Sequence, residues 1–357
     1  HSTNQCVFIK LDENDFYTHR SRFNDSNYYQ YENFIYDEST DRLFILFYDK
    51  TLWEVDQVTG QLTQKTSCPI AGTIGAMVAT GGYIYVLDSN RNFERYDIGG
   101  DSWSAMNAPA GSWSTSRSAL KLVTDGTYIV PANSSQASST AWEKYTIGTN
   151  TWDLMTTTSA PTSSSQLHSE IFNGFLYVQY IGGTTNNYST IWKYSLSGDT
   201  WTASALNLRT KGMTNGGAMY FFRANSKMYW VGTMEKQEYS GTSRNVQHHV
   251  IFEMDTAENF TDVTASKYIP VPLGYFTYGR SGGYEYYTIA HQKSCGQYQV
   301  FSNFHSYIRS FRYIPYIDPV GKTVVWVKTP TEANKEREWQ GDAFTIKDGK
   351  LYALDPY

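Results

Sequence analysis

The stretch GYIYVLDSNRNFERYDIGGDSWSAM, residues 82–106, decides the fold. It begins with a glycine turn and a short apolar strand at residues 84–87, and a polar turn leads into a second strand at residues 93–98. A Gly-Gly-Asp turn then leads to Trp103, and Met106 comes three residues later. Glycine, asparagine and aspartate accept the backbone conformations of tight turns, so the stretch predicts antiparallel strands joined by short turns.

The same order of residues returns further along the chain. A tyrosine, a turn with aspartate or asparagine, and a tryptophan recur around Trp152 and Trp201. The apolar strand that follows the glycine turn, the second of four strands in each unit, occurs at residues 43–47, 84–87, 128–130, 176–178, 228–231, 286–289 and 351–354. A period of roughly 40 to 65 residues fits four-stranded blades, so the sequence predicts an all-β, seven-bladed β-propeller. Six blades is the alternative, because residues 272–330 are the least regular.

The two ends of the chain each supply half a blade. Two strands are predicted at residues 343–347 and 350–354, and two more at residues 6–11 and 16–19. Residues 1–20 and 341–357 are therefore expected to form the closing blade together, within a single propeller domain that spans residues 1–357. Joining the ends in this way hides sheet edges that would otherwise promote aggregation.

Composition and charge argue against two classes of protein. The chain has 357 residues, 29 Lys and Arg, 34 Asp and Glu, and a net charge of -5, and no basic run marks a nucleic-acid binder. No apolar run reaches the roughly 18 residues that a membrane-spanning helix needs. Aromatic residues make up 16% and charged residues 18%, a balance that favours strands over helices. We expect neither a nucleic-acid partner nor a membrane span.

The same composition predicts a location outside a cytoplasm. Tyrosine, asparagine, serine and threonine are abundant, and Asn-x-Ser/Thr glycosylation signals begin at Asn24, Asn133, Asn187 and Asn259. We expect an extracellular, cell-surface or virion protein. The cysteines Cys6, Cys68 and Cys295 show no metal-binding spacing, and their odd number argues against a full disulfide framework. Ring closure would allow Cys6 and Cys68 to pair, but free buried thiols is the favoured interpretation.

Over residues 80–235 the units resemble the kelch repeat. One copy contains, in order, Tyr96, Asp97, Asp101, Trp103, Met106, Pro109, Arg117, Gly126 and Tyr128. The next contains Tyr145, Asn150, Trp152, Met155, Pro161, His168, Gly174, Tyr177, Gly182 and Gly183. The resemblance implies a propeller in which these tryptophan, tyrosine and glycine residues serve packing. It implies little about activity, because kelch-type propellers include scaffolds, glycan binders and a few enzymes.

Loop length gives the prediction of a site. In a four-stranded blade, the connections after strand two and after strand four lie on the same face, and here they are the long ones. We predict long loops after strand two at residues 132–141, 182–189, 233–249 and 290–306, and after strand four at residues 107–117, 205–215, 266–283 and 328–341. Long loops on a rigid scaffold usually carry function. The predicted ligand-binding residues are Trp113, Arg117, Tyr188, Arg244, His248, Tyr278, Arg280, His291 and His305.

Arginines and exposed aromatic residues are the chemistry of glycan and protein recognition. The sequence therefore favours a non-catalytic binding or structural module that recognises a glycan or a partner protein through the long-loop face and can join a larger complex. A carbohydrate-active propeller enzyme (a hydrolase, epimerase or lyase) is the alternative, and an intracellular kelch-type adaptor is the second alternative.

No catalytic residue, metal site or cofactor is predicted. Adjacent histidines on a strand, such as His248 and His249, point to opposite faces of the sheet. The chain contains no Tyr-His pair of the kind that copper radical oxidases use, and residues 195–201 match the Asp box of sialidases only in part.

Overall fold

The computed structural model is an all-β chain, as the sequence predicts. It describes residues 5–11, 16–22, 33–47, 49–56, 61–111, 120–133, 142–161, 166–181, 190–207, 216–224, 227–237, 245–262, 291–295, 298–302, 313–318, 323–328, 344–347 and 350–355. These residues form strands and turns and contain no helix.

In chain order, the strands of the first half are β1 (Gln5–Leu11), β2 (Phe16–Arg22), β3 (Asn33–Asp37), β4 (Arg42–Leu46), β5 (Leu52–Val55), β6 (Leu62–Gln64), β7 (Ile74–Thr80), β8 (Tyr83–Asp88), β9 (Phe93–Asp97), β10 (Ser102–Met106), β11 (Leu120–Thr124), β12 (Tyr128–Asn133), β13 (Glu143–Thr146) and β14 (Thr151–Leu154). Those of the second half are β15 (Gln166–Phe172), β16 (Phe175–Ile181), β17 (Thr190–Ser195), β18 (Thr200–Asn207), β19 (Gly216–Ala224), β20 (Lys227–Gln237), β21 (Asn245–Met254), β22 (Phe260–Asp262), β23 (His291–Cys295), β24 (Tyr298–Ser302), β25 (Tyr313–Asp318), β26 (Thr323–Lys328), β27 (Phe344–Lys347) and β28 (Lys350–Asp355).

Within the described residues the strands form seven four-stranded antiparallel sheets. Six are made of four consecutive strands each, from the first blade (β3–β6) through the second (β7–β10), third (β11–β14), fourth (β15–β18) and fifth (β19–β22) to the sixth (β23–β26). The first strands of successive blades are neighbours, from β3 to β7 and onward to β23, β27 and back to β3. Sheets arranged radially in this cyclic order are typical of a β-propeller.

The remaining sheet, the closing blade, takes strands from both halves of the chain. Its order is β2-β1-β28-β27. Strand β1 pairs with β2 on one side and with β28 on the other, where Val7 lies opposite Asp355 and Leu11 opposite Leu351. Because β28 has a partner on each side, it is an interior strand of that sheet.

Turn chemistry explains the tight ends of the hairpins. Asn173 and Gly174 have φ values of 50° and 76° and join Phe172 to Phe175, which face each other in the ladder. Two consecutive positive φ angles match the right-handed twist of the flanking strands, and asparagine followed by glycine adopts them at the lowest cost. The Asn-Gly pair therefore sets the register of the β15–β16 hairpin.

The hydrophobic core lies between neighbouring blades. Phe44 of the first blade packs in one cluster with Ile84 and Tyr96 of the second, and all three side chains are buried. Equivalent clusters join the second blade to the third and the third to the fourth. Each blade therefore stabilises its neighbours, as in other repeat architectures.

A recurring set of polar contacts holds these blades together at their outer strands. In the second blade, the Asp101 carboxylate accepts hydrogen bonds from the Tyr96 hydroxyl at 2.7 Å and from the Thr66 amide of the first blade's exit at 2.9 Å. The Trp103 indole N–H donates to the Thr66 carbonyl at 2.8 Å. We call the residue one or two positions after the fourth strand of a blade, here Thr66, that blade's exit. We call the arrangement a joint: the tyrosine, the turn residue that accepts hydrogen bonds (the turn acceptor) and the tryptophan of one blade bind the exit of the preceding blade.

The joint between the second and third blades repeats this geometry with an amide as acceptor. Asn150 Oδ1 accepts hydrogen bonds from the Tyr145 hydroxyl at 3.0 Å and from the backbone amide of Asn107 at 3.1 Å. The Trp152 indole donates to the Asn107 carbonyl at 2.7 Å. The turn acceptor of the joint therefore works either as a carboxylate or as an amide.

The joint between the third and fourth blades returns to a carboxylate. Asp199 accepts from the Tyr194 hydroxyl and, at 2.9 Å, from the Thr156 amide. The Trp201 indole donates to the Thr156 carbonyl at 2.8 Å. The residues that define the sequence repeat thus bind each blade to the one before it, which is the packing role that their repetition predicts.

Two sequence predictions about the sixth blade are wrong. The second strand of the sixth blade is β24, not residues 286–289, which lie outside the described residues. Residues 286–289 form the more continuous apolar run, whereas β23 (HQKSC) is largely polar and β24 (YQVFS) mixes apolar and polar residues. Residues 290–306 are likewise not one loop, because both of those strands lie within them.

The predicted loop at residues 233–249 is mostly hairpin. Strand β20 continues to Gln237 and β21 begins at Asn245. The ladder runs without interruption from the Met228–Met254 pair to the Gln237–Asn245 pair. Polar residues here concealed an extended ladder, because backbone pairing between two long strands does not require an apolar sequence.

Candidate functional site

The two ends of the blades differ in their connections. Tight turns, such as residues 81–82, 98–101 and 196–199, follow the first and third strands. The connections after the second and fourth strands include the long segments 182–189, 263–290 and 329–343. We call the end with these segments the long-loop face. It is not uniform, since the connections 47–51 and 89–92 after β4 and β8 are short.

Two of the nine predicted ligand-binding residues lie on described strands. His248 is on β21, opposite Met234, and His291 is on β23, opposite Ser302. Both were predicted in loops, so the structure corrects their placement. They belong to the fifth and sixth blades respectively and are not brought into one sheet. The other seven, Trp113, Arg117, Tyr188, Arg244, Tyr278, Arg280 and His305, lie outside the described residues and stay predictions.

The β20–β21 hairpin extends its blade toward the long-loop face. Strand β20 has 11 residues and β21 has 10. Pairing between β19 and β20 stops at Met234, whereas β20 and β21 stay paired as far as Gln237 and Asn245. The hairpin thereby lengthens the fifth blade at the end where the segment 238–244, with Arg244, connects its two strands.

A buried glutamate fixes the base of one long connection. Glu143 opens β13 and is 1% exposed. Its two carboxylate oxygens accept the backbone amides of Ala110 and Gly111 at 3.0 and 2.9 Å. These amides belong to the connection between β10 and β11, which goes on to Trp113 and Arg117. A charged acceptor with two backbone donors is a strong, geometrically specific anchor.

A buried aspartate has the same task one blade earlier. Asp88 ends β8, is fully buried, and accepts the Gly72 amide at 2.8 Å through one oxygen. The other oxygen accepts the amides of Asn90 and Asn92 at 2.8 and 2.7 Å. A Cβ atom at position 72 would lie 2.6 Å from the carboxylate, so only glycine allows this approach.

The two anchored connections differ in how much of their length is held. The first, residues 65–73, is bound to its surroundings near both ends and in the middle, where the Cys68 amide donates to the Lys50 carbonyl at 2.8 Å and Lys50 Nζ donates to the Ala71 carbonyl at 3.0 Å. The second is held at Asn107, Ala110 and Gly111 and then continues into residues 112–119. Only the second carries predicted ligand-binding residues.

Sequence reasoning did not identify Asp88 and Glu143. One signal was available. Asp88 ends the second strand of its blade, and Glu143 begins the third strand of its blade. The connection that each carboxylate binds contains a glycine, Gly72 for Asp88 and Gly111 for Glu143. A carboxylate at such a position has backbone amides within reach, because glycine lets the chain approach closely.

The described side chains offer little for metal or thiol chemistry. In the part of the chain that the structure describes, no group of three or more His, Cys, Asp and Glu residues is placed to hold a metal ion. Cys68 is a free, buried thiol, and burial raises its pKa to about 12, which makes it a poor nucleophile. Among the same residues, no helix is long and apolar enough to cross a membrane.

Comparison with solved structures supports the propeller fold. An oligogalacturonate lyase in complex with manganese, itself a β-propeller, matches 88% of this chain over 85% of its own, with a TM-score of 0.51 and 11% sequence identity. At that identity the likeness shows the fold alone. No protein-family model and no curated protein sequence matches the chain. The chain therefore has the fold of a β-propeller, and its relation to the kelch family stays a prediction.

Proposed function

We propose that this chain is a kelch-like, non-catalytic recognition module that binds a glycan or a partner protein through its long-loop face. One observation carries the proposal: tight turns follow the first and third strands, the long connections follow the second and fourth strands at the other end, and the buried carboxylate of Glu143 fixes the base of one of them. Rigid scaffolds that present variable loops on one side are a common basis for recognition. The composition supports a place outside a cytoplasm, on a cell surface or in a virion.

The chemistry of the predicted residues fits such a role. Trp113, Tyr188 and Tyr278 supply flat apolar surfaces with polar tips, and arginines such as Arg280 supply several hydrogen-bond donors. Sugar rings stack on aromatic faces and offer hydroxyl groups to donors, while protein partners use the same residue types as binding hot spots. The proposal therefore places the binding energy on aromatic and arginine side chains of the long connections.

The test is binding of the purified chain to an array of neutral and acidic oligosaccharides. If the proposal holds, Trp113→Ala and Arg280→Ala should each weaken the strongest interaction by about tenfold or more, the loss of roughly 1.4 kcal/mol of binding free energy. Circular dichroism and the unfolding midpoint should stay unchanged. If neither Trp113→Ala nor Arg280→Ala weakens binding of the strongest glycan, that glycan binds outside the long-loop face and the proposal is wrong.

A matched control lies on the opposite end of the propeller. Glu38 is an exposed residue of the tight turn between β3 and β4. Glu38→Ala should leave array binding unchanged, because the turn faces away from the long connections. Equal loss in Glu38→Ala and Trp113→Ala would show that the array reports general charge or stability, and it would sink the assignment to this face.

The structural comparison favours a carbohydrate-active enzyme as the second candidate. The similar propeller is a lyase that acts on oligogalacturonate and was seen with manganese. In eliminative cleavage of a uronate chain, a base takes the proton from the carbon beside the carboxylate, the bond to the glycosidic oxygen breaks, and that oxygen is protonated. A carbon–carbon double bond is left in the product. The histidines His248, His291 and His305 are the residues of this chain that suit proton transfer near neutral pH.

This second candidate has its own assay. Oligogalacturonate is incubated with the chain, with and without Mn²⁺, and the ultraviolet absorbance of an unsaturated product is followed. Turnover that disappears in His248→Ala, His291→Ala or His305→Ala would replace the binding proposal with the enzymatic one. Binding to acidic oligosaccharides without turnover would favour the non-catalytic module.

A further inference from the structure

The three joints share one geometry and differ in one chemical respect. Asp101 and Asp199 hold the joints of the second and fourth blades as carboxylates, whereas Asn150 holds the joint of the third blade as an amide. In each, the acceptor oxygen takes a tyrosine hydroxyl and a backbone amide from the preceding blade. A carboxylate changes charge on acidification, and an amide does not.

We propose that the ring has two acid-labile joints, held by Asp101 and Asp199, and one acid-resistant joint between them, held by Asn150. On acidification the first blade's exit at Thr66 and the third blade's exit at Thr156 loosen, while the second blade's exit at Asn107 stays in place. The second and third blades then remain coupled as a pair after their outer contacts with the first and fourth blades have weakened.

The charged groups around Asp101 come from both blades of its joint. Lys65 precedes Thr66 in the first blade, Arg42 and Glu54 lie on β4 and β5, and Tyr96 is on β9. The Thr66 amide and then the Tyr96 hydroxyl hold the pKa of Asp101 below the ordinary aspartate value of 3.8. Burial and the bond to Asp101 raise the pKa of Tyr96, so its hydroxyl stays a donor at neutral and acidic pH.

Asp199 has fewer charged neighbours. They are Lys144 on β13, Asp153 on β14 and Tyr194 on its own blade. The Tyr194 hydroxyl and then the Thr156 amide hold the pKa of Asp199 below 3.8. The acceptor of both the Tyr194 hydroxyl and the Thr156 amide at this joint is the carboxylate of Asp199.

The sign of the effect follows from the depressed pKa values. A carboxyl group whose folded pKa lies below its unfolded value stabilises the folded state above the unfolded pKa, and that stability is lost as the pH falls through the folded pKa. The loss at Asp101 and Asp199 thus comes below 3.8, the ordinary aspartate value. Protonation leaves a neutral acceptor, and neutral hydrogen bonds are roughly half as strong as charge-assisted ones.

Amide hydrogen exchange at Thr66, Asn107 and Thr156 tests the inference residue by residue. Protection is measured relative to unfolded peptide at the same pH, from neutral pH to well below 3.8. We expect protection at Thr66 and Thr156 to fall severalfold more than protection at Asn107. Interior strand amides such as those of Ile84 and Val178 serve as reference. Loss at all of these amides together would mean global unfolding and would overturn the proposal.

A reciprocal exchange of acceptors sharpens the test. Asp199→Asn should make the Thr156 amide as acid-resistant as that of Asn107, and Asn150→Asp should make the Asn107 amide acid-labile. Both variants keep the acceptor oxygen and the size of the side chain, so both are expected to fold. If acid lability stays with the blade rather than moving with the carboxylate, the carboxylate is not the acid-sensitive element.

Discussion

The second, third and fourth blades differ from the first and fifth in the residues at which a joint would form. Where the three middle blades have a tyrosine, the first has Val55 and the fifth has Met254. Where they have a tryptophan opposite that tyrosine, the first has Leu62 and the fifth has Phe260. The side chains of valine, leucine, methionine and phenylalanine donate no hydrogen bond, so the fold can form the same sheet without the joint that its most regular repeats contain.

Charge takes a larger part in the first and fifth blades. Arg42 forms a bidentate ion pair with Glu54, at 2.5 Å for both contacts, and Lys227 pairs with Glu253. The middle blades instead place a cation over an aromatic ring at the matching positions. The pairs there are Arg95 over Tyr83 at 4.5 Å, Lys144 over Tyr128 at 5.5 Å and Lys193 over Phe175 at 3.9 Å.

The two partners of each pair change together. Where the residue before the joint tyrosine position is a glutamate, the first residue of strand two is basic. Where the residue before that position is basic, the first residue of strand two is aromatic. The fourth and fifth blades meet through another charge contact, where Glu258 accepts the Tyr177 hydroxyl at 2.8 Å and pairs with Lys193. Repeats in this ring thus diverge by exchanging whole pairs, since an unmatched buried charge would be costly.

The largest expected difference concerns the tryptophan of a joint. Trp201 is 5% exposed and packs against Trp142 and Tyr194. Trp201→Ala should lower the free energy of unfolding by about 3–5 kcal/mol, because it leaves a cavity and removes an interblade hydrogen bond. Thr261 of the fifth blade is exposed and lies next to the position that matches Trp201, and Thr261→Ala should change the free energy of unfolding by less than about 0.5 kcal/mol. Urea unfolding midpoints measure both, and similar shifts would erase the distinction between the two kinds of blade.

The ion pair of the first blade should respond to pH. Glu54→Gln should cost about 2 kcal/mol, because it weakens charge-assisted bonds to Arg42 and leaves Lys65, 2.9 Å away, without its carboxylate. The Arg42 guanidinium holds the pKa of Glu54 below its ordinary value of 4.5, so this stability is present above that pH and lost as the pH falls through the folded pKa. Unfolding midpoints of the two proteins should therefore converge in acid, and a constant difference would contradict the electrostatic explanation.

A smaller difference is expected between charged and neutral joints. Tyr194→Phe removes a donor to the Asp199 carboxylate and should cost about 1.5–3 kcal/mol, whereas Tyr145→Phe removes a donor to the Asn150 amide and should cost about 0.5–1.5 kcal/mol. Both substitutions keep the buried ring. Equal losses at neutral pH would show that the charge of the acceptor adds nothing at these positions.

The smallest comparison involves two neighbouring indoles, whose ring centroids are 5.1 Å apart. The Trp201 N–H donates to the Thr156 carbonyl, while the buried Trp142 N–H has no acceptor in the described part of the structure. Trp142→Phe should therefore destabilise the fold by about 1 kcal/mol less than Trp201→Phe. Equal midpoints in urea would indicate that the Trp142 N–H is satisfied, for example by a water molecule.

Residues with a local physical signature were predictable from the sequence. Tyr96, Asp101 and Trp103 recur at fixed spacing because one joint recurs, and Asn173-Gly174 marks a hairpin because few residues accept two positive φ angles. The all-β class and the four-stranded sheets follow from these signals. The prediction that residues 286–289 form the second strand of the sixth blade is wrong because an apolar run does not by itself specify its partners, whereas the mixed strand β24 obtains its register from β23 and β25.

The candidate site was less predictable. Glu143 anchors the connection that leads to Trp113 through two backbone amides, and backbone donors carry no sequence signature. His248 and His291 were placed in loops because their neighbours are polar, yet both lie on paired strands. Loop residues such as Arg280 are recognised by residue type alone, so their arrangement around a ligand needs information that a single sequence does not contain.

The closing blade has a consequence for the way this protein is made. Strand β1 pairs with β28, so Val7 finds its partner Asp355 only after all the blades between them have been synthesised. Such pairing has a very high contact order, and folding that depends on it is slow. Until then one edge of β1 is open to wrong partners, and this is the period in which intermediates of large β proteins aggregate. Efficient production should therefore depend less on the final stability of the ring than on protecting the nascent chain until β28 is available.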